Sequence, residues 1–167
     1  MRQAVETNRQ KANIAQILPF ASDNLRMSNE EFQAIGEIGA MFYEQGNLEK
    51  AQTIFEGLIE ISPDSDAAHS ALGALLTKRR DDENALIHLN KAIELNDLEI
   101  APFVNRAEVY LRQQRFETAV ADLKRAIELD PQEKDAGANR ARAMVLGIYQ
   151  AIETQKAQQN NFNLKEK

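Results

Sequence analysis

The residues able to do chemistry in this chain are few, and their spacing joins none of them into a reactive constellation. Its two histidines, His69 and His88, have no Cys and no third His beside them at the short spacing a metal ion requires. His69 falls on the apolar side of a helical pattern and reads as a structural histidine. His88 falls on the outer side of the next helix and reads as solvated surface. The acidic pairs Glu30-Glu31 and Asp81-Asp82 and the basic pair Arg79-Arg80 stand at helix starts and turns. They read as caps and solvated charge rather than as general acids or a phosphate site. Cysteine is absent, which excludes thiol catalysis, disulfides and zinc ribbons. There is no glycine-rich phosphate loop and no triad of nucleophile, base and acid. The chain is expected to catalyse nothing and to hold neither metal nor cofactor.

Composition narrows the partners. A formal charge of −6 and a pI of about 5.1 oppose binding to nucleic acid or anionic lipid. No apolar run reaches the roughly 18–20 residues of a membrane span, so no membrane insertion is expected. The N-terminal MRQAVETNRQKAN precedes no signal-type apolar core, which predicts a cytoplasmic location. Ala, Leu, Glu, Gln, Lys and Arg dominate, while 7 glycines and 4 prolines only punctuate the chain. The expected partner is another protein or a peptide.

The elements that must position these side chains repeat themselves. GLIEIS at 57–62 returns as KAIELN at 91–96 and as RAIELD at 125–130, 34 residues apart each time. With residue 32 as the first position, three blocks follow without insertion: 32–65, 66–99 and 100–133. Position 8 is small in every block (Gly39, Gly73, Ala107) and position 20 is alanine (Ala51, Ala85, Ala119). Position 24 is large and apolar (Phe55, Leu89, Leu123), and position 27 holds Leu58, Ala92 and Ala126. Each block reads as two helices of about 12–14 residues with a break near EQGNLEKA, KRRDDENA or RQQRFETA. The small residues predict close approach within a helix pair, and Ile35, Ile38, Phe42 and Phe55 are expected to fill the space between pairs. Pro63 and Pro131 end second helices, because proline cannot continue them.

The flanks complete the layout. Residues 1–31 are expected to be an N-terminal helix and loop, the helix predicted over 8–19 with Ile14, Ile17 and Leu18 on one side. Ser28 with Glu31 makes a capping box that starts the next helix. Residues 134–158 predict a helix with Ala141, Met144, Val145, Ile148 and Ile152 at helical spacing, which caps the last repeat. Residues 159–167 read as a flexible tail. The fold class is all-α, a solenoid of stacked helix pairs.

This 34-residue helix–turn–helix resembles the tetratricopeptide repeat, over residues 32–133. The resemblance implies a superhelix whose concave face is lined by first helices and takes a peptide. In that family positions 2, 5, 9 and 12 face the groove. Here they are Gln33, Gly36, Ala40 and Tyr43, then Ala67, Ser70, Ala74 and Thr77, then Ala101, Val104, Glu108 and Leu111. Lys78, Asn105 and Arg112 lie nearby. Position 5 is Gly36, Ser70 and Val104, so the Lys/Asn/Arg clamp with which some members grip acidic chaperone C-termini is absent. A groove of small and apolar side chains is left, suited to an extended peptide with apolar anchors.

The whole layout more narrowly resembles the tetratricopeptide chaperones that hold the translocators of bacterial type III secretion. The likeness is carried by the opening repeat, FQAIGEIGAMFYEQGNLEKAQTIFEGLIEISPDS, with aromatic Tyr43 beside its turn, and by Pro102-Phe103 at the start of the third. Repeat two departs from that pattern at KRRDDENA, which has no glycine turn, and the cysteines frequent in that family are missing. The resemblance implies a chaperone that buries a proline- and leucine-containing segment of an apolar client, and a homodimer through Ile14, Ile17 and Leu18. A general adaptor in some other assembly is the alternative use of the same groove.

Overall fold

Ser28 begins the first helix as its neighbours predict. Its Oγ accepts from the Glu31 amide at 3.2 Å while Glu31 Oε2 accepts from the Ser28 amide at 2.8 Å. The computed structural model of the protein describes residues 27–165, with side chains to 159. The helix expected over 8–19 and the contacts expected of Ile14, Ile17 and Leu18 lie outside the described residues. From Ser28 onward the order is α1 (Asn29–Glu44), α2 (Leu48–Ile61), α3 (Asp66–Arg79), α4 (Asp82–Leu95), α5 (Ile100–Arg112), α6 (Phe116–Glu128) and α7 (Ala136–Lys165).

Each turn inside a repeat puts one residue in the left-handed region: Gly46 at φ 77°, Arg80 at 60° and Gln114 at 60°. All three are position 15 of their repeats, so the turn keeps its shape even where glycine is missing. The two helices of a pair then close on position 8. A Cβ on Gly39 would stand 2.5 Å from Phe55 Cε1, and one on Gly73 2.7 Å from the Leu89 side chain. Ala107 at the third such place is fully buried, as are Ala51, Ala85 and Ala119 at position 20.

Two apolar clusters form the core, one around Phe55, Leu72, Leu75 and Leu89, the other around Phe103, Val104 and Leu123. Leu86 packs against both and makes them continuous. Ile38 departs from expectation: it is 47% exposed rather than packed between helix pairs.

First helices also touch one another, α1 to α3, α3 to α5 and α5 to α7, whereas second helices do not pack together. First helices therefore form the inner layer of a curved stack and second helices the outer one. α7 closes the stack. Asp135 caps it, its Oδ1 accepting from the Ala138 amide at 2.8 Å. Ala138 and Ala141 are fully buried, and Met144, Val145 and Ile148 cover the second cluster. α7 continues through 159–165, which the sequence reading leaves as a flexible tail. No glycine or proline follows Gly147, and Glu153 pairs with Lys156 at 3.0 Å, so local propensity carries the helix on without packing. Among the described residues no helix is long and apolar enough to cross a membrane.

Candidate functional site

α1 and α3 turn small residues toward each other, so these inner helices meet without filling the space between them. Gly36 and Ala40 face Ala67, Ala68 and Ala71 across a groove of about 1000 Å³. Phe55 and Leu58 of α2, both buried, make its floor. Phe32 and Ile61 stand at its margins, and Gln33, Glu37 and Ser65 supply hydrogen-bonding groups. A groove of this make-up offers apolar area to a few side chains and polar edges to a backbone.

The structure divides the expected groove residues. Gln33, Gly36, Ala40 and Ala67 line the groove together. Tyr43 lies one turn further along the same stripe of α1, half-buried, with the Lys78 ammonium 4.3 Å over its ring. Ala74, Asn105, Glu108 and Leu111 are half-buried on the inner helices beyond, Leu111 against the second cluster, and Ala101 is exposed. Three residues are corrected. Ser70 is buried because the start of α5 covers it, and its Oγ donates to Glu99 Oε1 at 2.9 Å. Thr77 is buried with its hydroxyl turned back on its own helix, donating to the Gly73 carbonyl at 2.8 Å. Val104 is 1% exposed beneath the first turn of α7 near Gly137.

Charge gathers on the inner layer past Tyr43. Arg112 pairs with Asp82 and, at 3.1 Å, with Glu108, whose other oxygen pairs with Arg140 of α7. Burial pushes the Tyr43 phenol above its ordinary pKa, Arg140 pulls it back and Glu108 adds to the rise. One end of the inner layer is thus apolar and the other is laced with ions.

Three polar features escaped the pattern reading. His88 is half-buried, not solvated: its Nδ1 lies 2.9 Å from Nδ1 of His69, whose Nε2 lies 3.1 Å from the Pro63 carbonyl. One ring proton bridges the pair, and the lowered pKa of His88 follows from burial first and His69 second. Arg106 occupies position 7, an apolar place in the other repeats, and makes a two-pronged bond to buried Asp122 at 2.8 and 2.7 Å. Glu99 keeps one buried oxygen without a partner, and burial raises its pKa although the Ser70 bond opposes the rise. Only the wrong chemistry at an apolar position could have flagged the Arg106–Asp122 pair, and a second His at position 23 the His69–His88 contact.

Two models of the tetratricopeptide repeat match the chain, over residues 41–101 and 101–133. Together they span 41–133, more than half of its 167 residues. The chain is 44% identical over 45 residues to Hsp70-Hsp90 organizing protein 1 of Glycine max, a stretch that is 27% of this chain and 8% of that protein's length. Its fold superimposes on the type III secretion translocator chaperone SycD of Yersinia enterocolitica with a TM-score of 0.69, at 18% identity, covering 77% of this chain and 90% of that one. PcrH of Pseudomonas aeruginosa, solved with the chaperone-binding region of PopB, gives 0.64 at 23% identity over 72% of this chain and 99% of that one. Repeat period, packing and model matches agree that this chain belongs to the tetratricopeptide-repeat family, with a fold similar to that of the translocator chaperones.

Proposed function

We propose that this chain is a protein-binding chaperone that holds an extended apolar segment of a client in the groove between α1 and α3. The carrying observation is the groove itself, with glycine and alanine on its walls and Phe55 and Leu58 on its floor. About five residues of extended chain span roughly 17 Å and turn two or three side chains to one face. Each buried anchor contributes about 2 kcal/mol. Association alone costs at least about 4 kcal/mol. Two or three anchors therefore leave a surplus of at most about 2 kcal/mol. This is a weak grip to which backbone hydrogen bonds at the polar edges add, and which a competing partner can break without nucleotide.

The client we infer is a membrane-seeking protein awaiting export. Two similarities support this reading: the fold likeness to SycD and the peptide-bound state of PcrH. Homodimerisation through Ile14, Ile17 and Leu18 belongs to the same reading. A general adaptor is favoured instead by the local match to the Hsp70-Hsp90 organizing protein.

Cross-linking followed by co-expression separates the two. A photo-reactive residue at Ala40 should capture the client in cells, while one at exposed Glu83 on the outer layer should not. The captured protein should be insoluble when expressed alone and soluble beside this chain. A partner that is soluble alone would point to the adaptor; capture at Glu83 only would remove the groove from the account.

A further inference from the structure

Comparing the repeats with one another exposes a gap in the charge network. Position 13 of successive repeats is Glu44, Lys78 and Arg112. Lys78 Nζ donates to the Tyr43 carbonyl at 3.5 Å, and Arg112 Nη2 donates to the Thr77 carbonyl at 3.3 Å. Tyr43 and Thr77 both hold position 12 of the preceding repeat, so the two cations make the same contact one repeat apart. The equivalence ends at charge. Arg112 has two carboxylates, Asp82 and Glu108. The places 34 residues earlier hold Leu48 and Ala74. Among the described residues Lys78 forms no ion pair, and its exposed ammonium rests over the Tyr43 ring.

Lys78 also stands where a segment leaving the groove would pass. Gln33, Gly36, Ala40 and Tyr43 form one stripe of α1, the first three in the groove and the last beneath Lys78. From Gly36 to Tyr43 is seven residues of helix, roughly 10 Å, which about three extended residues cover.

We propose that Lys78 receives an acidic side chain of the bound client, an Asp or Glu about three residues from an apolar anchor seated in the groove. This inference rests on the groove reading above and adds a charge and a direction to it. A side-chain carboxylate is the fitting acceptor because Arg112, in the equivalent place, is held by side-chain carboxylates of α4 and α5. Tyr43 preorganises the ammonium, so little freedom is lost when the carboxylate arrives.

The test is selection from a library of random linear peptides displayed on phage, against wild type, Lys78→Gln, Lys78→Glu and Ala74→Glu, each checked for unchanged helicity. Wild type should enrich apolar anchors with an Asp or Glu at a fixed offset. Lys78→Gln should keep the anchors and lose the acid, and Lys78→Glu should prefer Lys or Arg there. Ala74→Glu should suppress the acid preference, because Glu at 74 would stand to Lys78 as Glu108 stands to Arg112. For a selected peptide made synthetically, Glu→Gln should weaken binding to wild type about three- to tenfold and leave Lys78→Gln unaffected. Apolar anchors without acid preference would overturn this inference and spare the groove. Enrichment of nothing by wild type would overturn the groove and this inference with it. Binding that survives only when the peptide ends at its acid would overturn the side-chain assignment.

Discussion

At the scale of single residues, one added methyl group separates the glycines into two kinds. Gly73 has Leu89 Cδ2 and Cγ at 2.7 Å from where its Cβ would stand, and the Leu89 backbone nitrogen at 3.3 Å, so α3 and α4 must part to admit it. Gly57 of α2 has nothing within 4 Å. Gly73→Ala should lose about 1–3 kcal/mol in urea unfolding, whereas Gly57→Ala should gain about 0.5–1 kcal/mol from reduced backbone entropy. Equal effects would mean that close approach at position 8 is not what holds a pair together. The histidines give a second expectation. The folded state resists protonating His88, so the unfolded chain takes the proton first. Stability is then complete above the ordinary pKa of 6.5 and declines as pH falls from there toward the lowered folded value. His88→Gln should remove that decline from melting temperatures measured between about pH 8 and about pH 5. An unchanged decline would place its source in other groups.

At the scale of elements, one slot is filled in three ways. Position 23 is Ile54, His88 and Asp122, and its partners are respectively apolar neighbours, His69 and Arg106. The period of 34 was legible because small and large residues recur on it. The contents of this slot were not, since a polar pair is visible only once two helices have met. The groove register shows the same limit. Gln33, Gly36 and Ala40 follow from the position pattern that the family resemblance implies, whereas Ser70 and Val104 are lost to cover by Glu99 at the start of α5 and by α7, each two elements further along. α7 itself divides at Ile148: earlier residues cover the second cluster, and every side chain from Tyr149 to Gln159 is exposed. A chain ended after Gln155 should keep its unfolding free energy within about 0.5 kcal/mol. One ended after Asp135 should lose at least about 3 kcal/mol or its cooperative transition, since Val104, Leu123 and Ala126 lose their cover. Circular dichroism during melting reads both, and similar losses would mean that α7 does not act as a cap.

At the scale of the molecule, the fold class followed from the 34-residue echo, and the capping helix from the need to cover an apolar end. The polarity of the inner layer did not follow, because it depends on which side chains from successive repeats converge. The main packings run between near neighbours: each helix packs on those one or two places along. This arrangement bears on how the chain comes into being. Contacts between residues close in sequence cost little loop entropy, so such chains fold quickly. During synthesis each helix pair can close as soon as its second helix has emerged, and wait only for the next pair to cover its exposed side. Every residue that lines the groove precedes α4 in the chain, so on this account its walls are made, and free to close, before α5 is synthesised.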